Sequence, residues 1–126
     1  MNKFKKVLLY IWQLPQNIIG LFLTLIYKAD EIVPYRDKDI RYCKYFPGGI
    51  SLGEYVFVGT RNTKTIAHEY GHTVQSKYLG PLYLVIIGLP SIIWAALYGP
   101  IIKWTPNGYY RFYTESWADK LGGVER

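Results

Sequence analysis

The chain has 126 residues, enough for one compact domain with a core and too few for two. Half of the residues are hydrophobic, 17% aromatic and 19% charged, a balance richer in aromatics and poorer in charge than an average soluble domain, which leans toward membrane contact. The net charge of +6 is scattered rather than blocked and comes with no nucleic-acid recognition motif, so no nucleic-acid partner is expected; the single Cys43 excludes an internal disulfide.

The N-terminal "MNKFKK" followed by "VLLYIWQLPQNIIGLFLTLIY" has the basic flank and uncharged run of a signal anchor. Residues 7–27 suffice in length to cross a bilayer, and no A-x-A-like cleavage site follows them. Leu14-Pro15-Gln16-Asn17 interrupts the run at mid-depth, where polar groups are costly unless the chain turns or packs on protein. The expectation is either a kinked spanning helix or a helix-turn-helix dipping into one leaflet. The flanking charges do not fix the side: three N-terminal Lys favour a cytoplasmic start, but the 28–80 segment is also rich in Lys and Arg.

Next, Arg41 to Phe46 and Tyr55 to Val58 carry β-branched and aromatic residues around the turn signal Pro47-Gly48-Gly49, predicting a small antiparallel sheet or hairpin. Tyr55 and Phe57 point to one face, Val56 and Val58 to the other. Both faces should therefore be covered.

His68-Glu69-Tyr70-Gly71-His72 is an H-E-x-x-H. On a helix the two imidazoles lie one turn apart on the same face and can reach one metal ion, with Glu69 beside them near a bound water. Thr63 or Thr65 can cap this helix and Gly80-Pro81 can end it. Two ligands do not make a tight zinc site, so a third must come from elsewhere.

After the motif helix, residues 81–102 form a second uncharged run, interrupted at Gly88-Leu89-Pro90-Ser91 and again at Gly99-Pro100. "PNGYYRFYTESWADKLGG" then reads as one helix capped by Asn107, with Tyr110, Tyr113 or Thr114, Trp117 and Leu121 at helical spacing and Gly122-Gly123 as its end. Glu115 and Asp119 share a face: a Glu there can bind the metal while an Asp one turn later accepts a hydrogen bond from a ligand His. Gly71, costly within a helix, suits the close approach of a second helix.

His68-Glu69-x-x-His72 with Glu115-x-x-x-Asp119 downstream resembles the gluzincin metallopeptidases, the thermolysin-like group, in its minimal members. The likeness covers residues from about 50 to 123 and is specific only in the two motifs. It implies zinc bound by His68, His72 and Glu115, Glu69 as general base, Asp119 as the partner of His68, and a strand around Glu54 to Val58 bordering the cleft and pairing with an extended peptide or protein substrate. Gluzincins usually add a Tyr or His for the oxyanion. No third His exists in this chain, so that role falls to Tyr109, Tyr110, Tyr113 or Arg111.

A shared zinc site also constrains the path. If residues 81–102 crossed the bilayer once, about 30 Å of hydrocarbon would separate the His pair from Glu115, and metal bonds of about 2 Å could not join them. The run should therefore return as a helical hairpin, turning at Gly88–Ser91, either immersed in one leaflet or packed on the first apolar segment. The fold expected is α+β and mainly α, one minimal domain over residues 1–126 with membrane lipid as a partner. Two other functions fit the sequence: an intramembrane zinc protease of the site-two kind, disfavoured by Arg61, Lys64 and Lys77 near the motif, and a non-catalytic membrane adaptor with a structural or vestigial zinc site.

Overall fold

The computed structural model describes residues 2–126. The architecture is α+β and mainly helical. Two helices, α1 (Lys3–Trp12) and α2 (Leu14–Ile26), precede four strands, β1 (Glu31–Tyr35), β2 (Lys38–Tyr42), β3 (Gly49–Leu52) and β4 (Tyr55–Val58). Helices α3 (Thr63–Leu79), α4 (Leu89–Leu97) and α5 (Tyr113–Gly122) follow.

Between the two alternatives for the first apolar run, the chain bends: α1 and α2 meet at 95°. Pro15 lies in the first turn of α2, where its missing donor costs nothing. The polar side chains at the bend turn into protein. Gln16 Nε2 donates to Ser76 Oγ (2.8 Å) and to Gly80 O (2.9 Å), and Ser76 Oγ donates to Gln13 Oε1 (2.6 Å). Asn17 Nδ2 donates to Tyr10 O (2.9 Å) while its Oδ1 accepts the Glu54 N–H (2.7 Å). Buried amide groups that find partners this way fix the bend, because each one left unpaired would cost about 1–3 kcal/mol; among the described residues Gln16 Oε1 is the one buried side-chain polar atom without a partner. Among the described residues no single helix is long and apolar enough to cross a membrane.

The sheet order is β1-β2-β4-β3, and it is mixed rather than antiparallel. β2 pairs with β4 in parallel, Ile40 opposite Val56, while β1–β2 and β3–β4 are antiparallel hairpins. The Pro47-Gly48-Gly49 turn therefore does not join the strands expected to be neighbours. The tight reversal is instead the two-residue loop Gly53-Glu54, with Gly53 at φ +65, which sets Leu52 against Tyr55. Segment 43–48 carries the chain past the place that β4 then fills. Both sheet faces are covered, as expected: Ile40, Val56 and Val58 pack with Ile66 of α3, and Phe57 lies near Phe46 on the other face.

α3 ends at Gly80, where φ is +55 and a Cβ would meet the Trp12 ring at 2.1 Å. The chain then bends by 120° and runs helically from Leu84 to Leu97. The turn expected at Gly88-Leu89-Pro90-Ser91 is absent. Pro90 sits in the first turn of α4, and the wider π-helical turn Leu84–Gly88 before it accommodates the lost donor. The reversal lies earlier, at Gly80–Leu84, and the return is irregular: Gly99 has φ +94 and its N–H donates to Ile102 O (2.8 Å).

The C-terminal stretch is likewise not one helix. Asn107 is left-handed (φ +59) and opens a 3₁₀ turn, Gly108–Arg111; Phe112 is extended, and α5 starts at Tyr113. Phe112 stacks on Trp94 of α4 with ring centroids 4.7 Å apart, a contact that holds the backbone out of helical register.

α3 and α5 cross at near backbone contact. A Cβ on Gly71 would lie 1.8 Å from Ala118 O, and one on Gly122 would lie 2.0 Å from Ala67 O. Neither obstacle is a flexible side chain, so the helices must part to admit even a methyl group. Gly71→Ala should therefore lower stability by at least about 2 kcal/mol, read as the shift of a denaturant midpoint in detergent, and should weaken metal retention with it.

Candidate metal centre and cleft

α3 is capped by Asn62 rather than by Thr63 or Thr65: the Asn62 Oδ1 accepts the N–H groups of Lys64 (2.9 Å) and Thr65 (3.3 Å). This start turns His68, Glu69 and His72 toward α5 and β3, and all three are buried. The α3–α5 contact brings in Glu115. Its Oε1 lies 3.1 Å from His68 Nε2 and 3.1 Å from His72 Nε2, and the three ligand atoms fall within 4.8 Å of one another. Bonds of about 2 Å to a tetrahedral ion require ligand atoms a little over 3 Å apart, so this spacing suits one metal ion.

The surrounding hydrogen bonds fit the same conclusion. His68 Nδ1 donates to Asp119 Oδ1 (2.7 Å), and His72 Nδ1 donates to Gln75 Oε1 (2.6 Å). Gln75 Nε2 donates to Thr114 O (2.9 Å), which fixes its oxygen toward His72. With both Nδ1 protons committed outward, both Nε2 atoms converge with Glu115, and it is there that a metal ion would replace the proton shared with the carboxylate. The other Glu115 oxygen accepts from Ser91 Oγ (2.7 Å) and Thr114 Oγ1 (2.5 Å).

The electrostatics favour positive charge at this point. Burial alone would lower the pKa of His72, but the Glu115 hydrogen bond and the charges of Glu69 and Glu115 outweigh it and push it up to about 9. Burial alone would raise the Glu115 carboxyl, and hydrogen bonds from His68 and His72 instead hold it well below the carboxylate range. A field that stabilises a proton between these groups also stabilises a cation. His68, His72 and Glu115 thus form a buried group that can hold a metal ion.

Beside it lies a cavity of about 400 Å³. Glu69 lines it, with its carboxylate held by Ser51: the Ser51 hydroxyl is 2.9 Å from Glu69 Oε1 and 2.8 Å from Glu69 O. Gly49 makes room for that carboxylate, since a Cβ there would be 2.9 Å from Glu69 Cγ.

The strand at the cavity is β3, not the Glu54 to Val58 segment. The sheet order places β4 inside and leaves β3 as the edge. Gly59 N donates to Gly48 O, so by antiparallel alternation the polar backbone groups of Gly49 and Ser51 face away from β4. The buried Tyr83 hydroxyl does donate to Ser51 O from that side (3.3 Å).

Tyr109 and Tyr110 line the cavity, whereas Tyr113 does not: it is half-exposed and donates to Ile86 O (2.7 Å). The 3₁₀ turn and the break at Phe112 separate these tyrosines, which a continuous helix would have set on shared faces. Arg111 is also absent from the lining. Tyr110 is pinned, edge-on to His68 and beneath Arg126, whose guanidinium carbon is 3.4 Å from its ring centre. Tyr109 stays protonated: burial raises its pKa first, and the charges of Glu115 and Glu69 raise it further.

Several contributors were not foreseen. Arg126 pairs with Asp119 (Nη2 to Oδ1, 2.9 Å); Ser51, Gln75, Tyr83 and Ser91 complete the surroundings. Gln75, three residues after His72, is the one that helical spacing could have suggested. The others come from distant segments and carry no local signal. Comparison of the chain with protein-family models, curated proteins and solved structures finds no match.

Proposed function

We propose that this protein is a zinc-dependent peptidase working at a membrane surface, a gluzincin in minimal form. The observation that carries the reading is the convergence of His68, His72 and Glu115 on one point beside Glu69, in a cavity bordered by the edge strand β3. Two imidazoles and a carboxylate are a donor set for catalytic zinc, which keeps a fourth position open. Bound zinc would supply Lewis acidity, polarising a carbonyl and making water acidic near neutral pH.

The chain's own residues do the rest. Glu69, held by Ser51, takes a proton from the attacking water and gives it to the leaving amine. Asp119, steadied by Arg126, keeps His68 in the tautomer that leaves Nε2 free. An extended segment adds to β3 through the outward groups of Gly49, next to the Ser51 carbonyl that Tyr83 already engages, setting its carbonyl across the cavity. Tyr109, a protonated phenol lining the same cavity as Glu69 and Glu115, donates to the developing oxyanion. The membrane part of the reading is supported by the two bent helix pairs and their exposed apolar faces.

The test is hydrolysis of quenched-fluorescence peptides by detergent-purified protein, with zinc content measured alongside. Chelation should abolish cleavage and added zinc should restore it. A zinc-loaded protein that cuts no peptide, in detergent or on vesicles, would leave the adaptor alternative. Tyr109→Phe should lower kcat by about 10²-fold with little change in KM, since an oxyanion donor acts mainly in the transition state. An unchanged kcat would remove Tyr109 from this role.

A further inference from the structure

Acidic residues are unevenly placed in this chain. All nine lie within positions 30–69 and 115–125. The stretch between Glu69 and Glu115 carries Lys77, Lys103 and Arg111 and no acid at all, and it contains the helical segment Leu84–Leu97 that walls the cavity.

That segment shows two stripes. Leu84, Gly88, Ser91, Ile92 and Ala95 recur at helical spacing and line the cavity. Val85, Leu89 and Ile93 form the adjacent stripe and are exposed. Ile92 belongs to both: it lines the cavity and is 60% exposed. The cavity mouth therefore opens along an apolar face. Beyond α4, exposed Ile101 and Trp104 flank Lys103, the pattern of aromatic and basic side chains found where protein meets lipid headgroups. At about 1.5 Å per residue the segment is about 20 Å long, too short to cross a hydrocarbon core of about 30 Å, and so it suits an orientation within the interface plane.

We propose that the outer face of Leu84–Leu97 lies on an anionic bilayer and holds the cavity mouth at the lipid surface, so that the extended chain entering it is one already held at that surface. The substrate is then a membrane-anchored polypeptide, cut in the segment next to its anchor. An apolar stripe on an acid-free segment followed by Lys103 and Trp104 complements anionic headgroups in a way that a second copy of this face, with no acid to offer Lys103, does not. The docking stands on the placement of these residues, while the substrate class rests on the peptidase reading.

The test uses the full chain with Val85→Cys carrying a polarity-sensitive fluorophore, the native Cys43 being buried. Vesicles of phosphatidylcholine and phosphatidylglycerol should shift its emission to the blue. No shift with these vesicles, or a shift that grows with protein concentration without lipid, would overturn the docking. In a second arm, a peptide acylated onto the same vesicles should be cleaved at least about tenfold faster than the free peptide, as an intramolecular encounter would be. The V85D/L89D double variant should lose most of that advantage while cutting the free peptide at the parental rate. Equal rates on anchored and free peptide in the parent would overturn the substrate assignment. If neither peptide is cut while the probe enters lipid, the peptidase reading falls and the docking remains; if free peptide is cut while the probe stays in water, the reverse holds.

Discussion

Glu69→Gln is expected to keep the metal and to lower peptide hydrolysis by about 10²–10⁴-fold, the range removed with a general acid-base group. The substitution is nearly isosteric, so Gly49 still leaves room for the side chain and Ser51 can still donate to its oxygen. Glu69 is not one of the three converging ligand atoms, and the His68, His72 and Glu115 cluster is unchanged by it. What the amide loses is the capacity to accept a proton from water. The decisive comparison is zinc per chain by mass spectrometry together with kcat/KM on one peptide. A zinc-replete variant as active as the parent would sink the mechanism, whereas loss of zinc would mean that Glu69 serves the metal site itself.

Glu115→Ala is expected to weaken zinc binding by more than about 100-fold, because even an outer partner of a ligand is worth about 10–100-fold in affinity. Glu115 is buried and takes hydrogen bonds from Ser91 and Thr114 on one oxygen while facing both imidazoles with the other. The alanine variant also strands those partners in a dry site, so part of its effect will be loss of stability. Glu115→Gln separates the two effects: it keeps the volume and an acceptor but removes the charge. Both variants should lose zinc in a competition titration with a chromophoric chelator. Zinc affinity equal to that of the parent in Glu115→Gln would exclude the carboxylate as a ligand and, with it, the reason given for the return of the second apolar run.

Legibility in the sequence differed sharply between local and distant relations. The spacing of His68 and His72 determined their shared face, because a helix repeats every 3.6 residues and Asn62 and Gly80 bound this one. Gly71 announced a close neighbour, and the neighbour is the backbone at Ala118. Glu115 and Asp119 were legible as a pair one turn apart; Asp119 meets His68 Nδ1 as expected, and Glu115 Oε1 lies 3.1 Å from both Nε2 atoms. The polar break at Gln16-Asn17 showed that the first apolar run could not be uniformly lipid-facing.

Where the reading failed, a competing interaction from far along the chain had won. The helix expected from Asn107 breaks at Phe112 because Trp94 stacks on that ring; the turn expected at Pro90 vanishes because a π-helical turn takes up the missing donor. The hairpin was misplaced because Gly53-Glu54 supplies a tighter reversal than Pro47-Gly48-Gly49, and this exchange made β3 the edge strand.

By itself, then, the sequence determined that His68 and His72 can share a metal ion, since ligand type and helical period are local properties. Only the tertiary structure decided which strand borders them, which tyrosines reach the cavity and which carboxylate oxygen meets both imidazoles. Those relations depend on the packing of α3 against α5 and of the sheet against α3, where non-neighbouring segments settle positions to within an ångström and no periodicity encodes them.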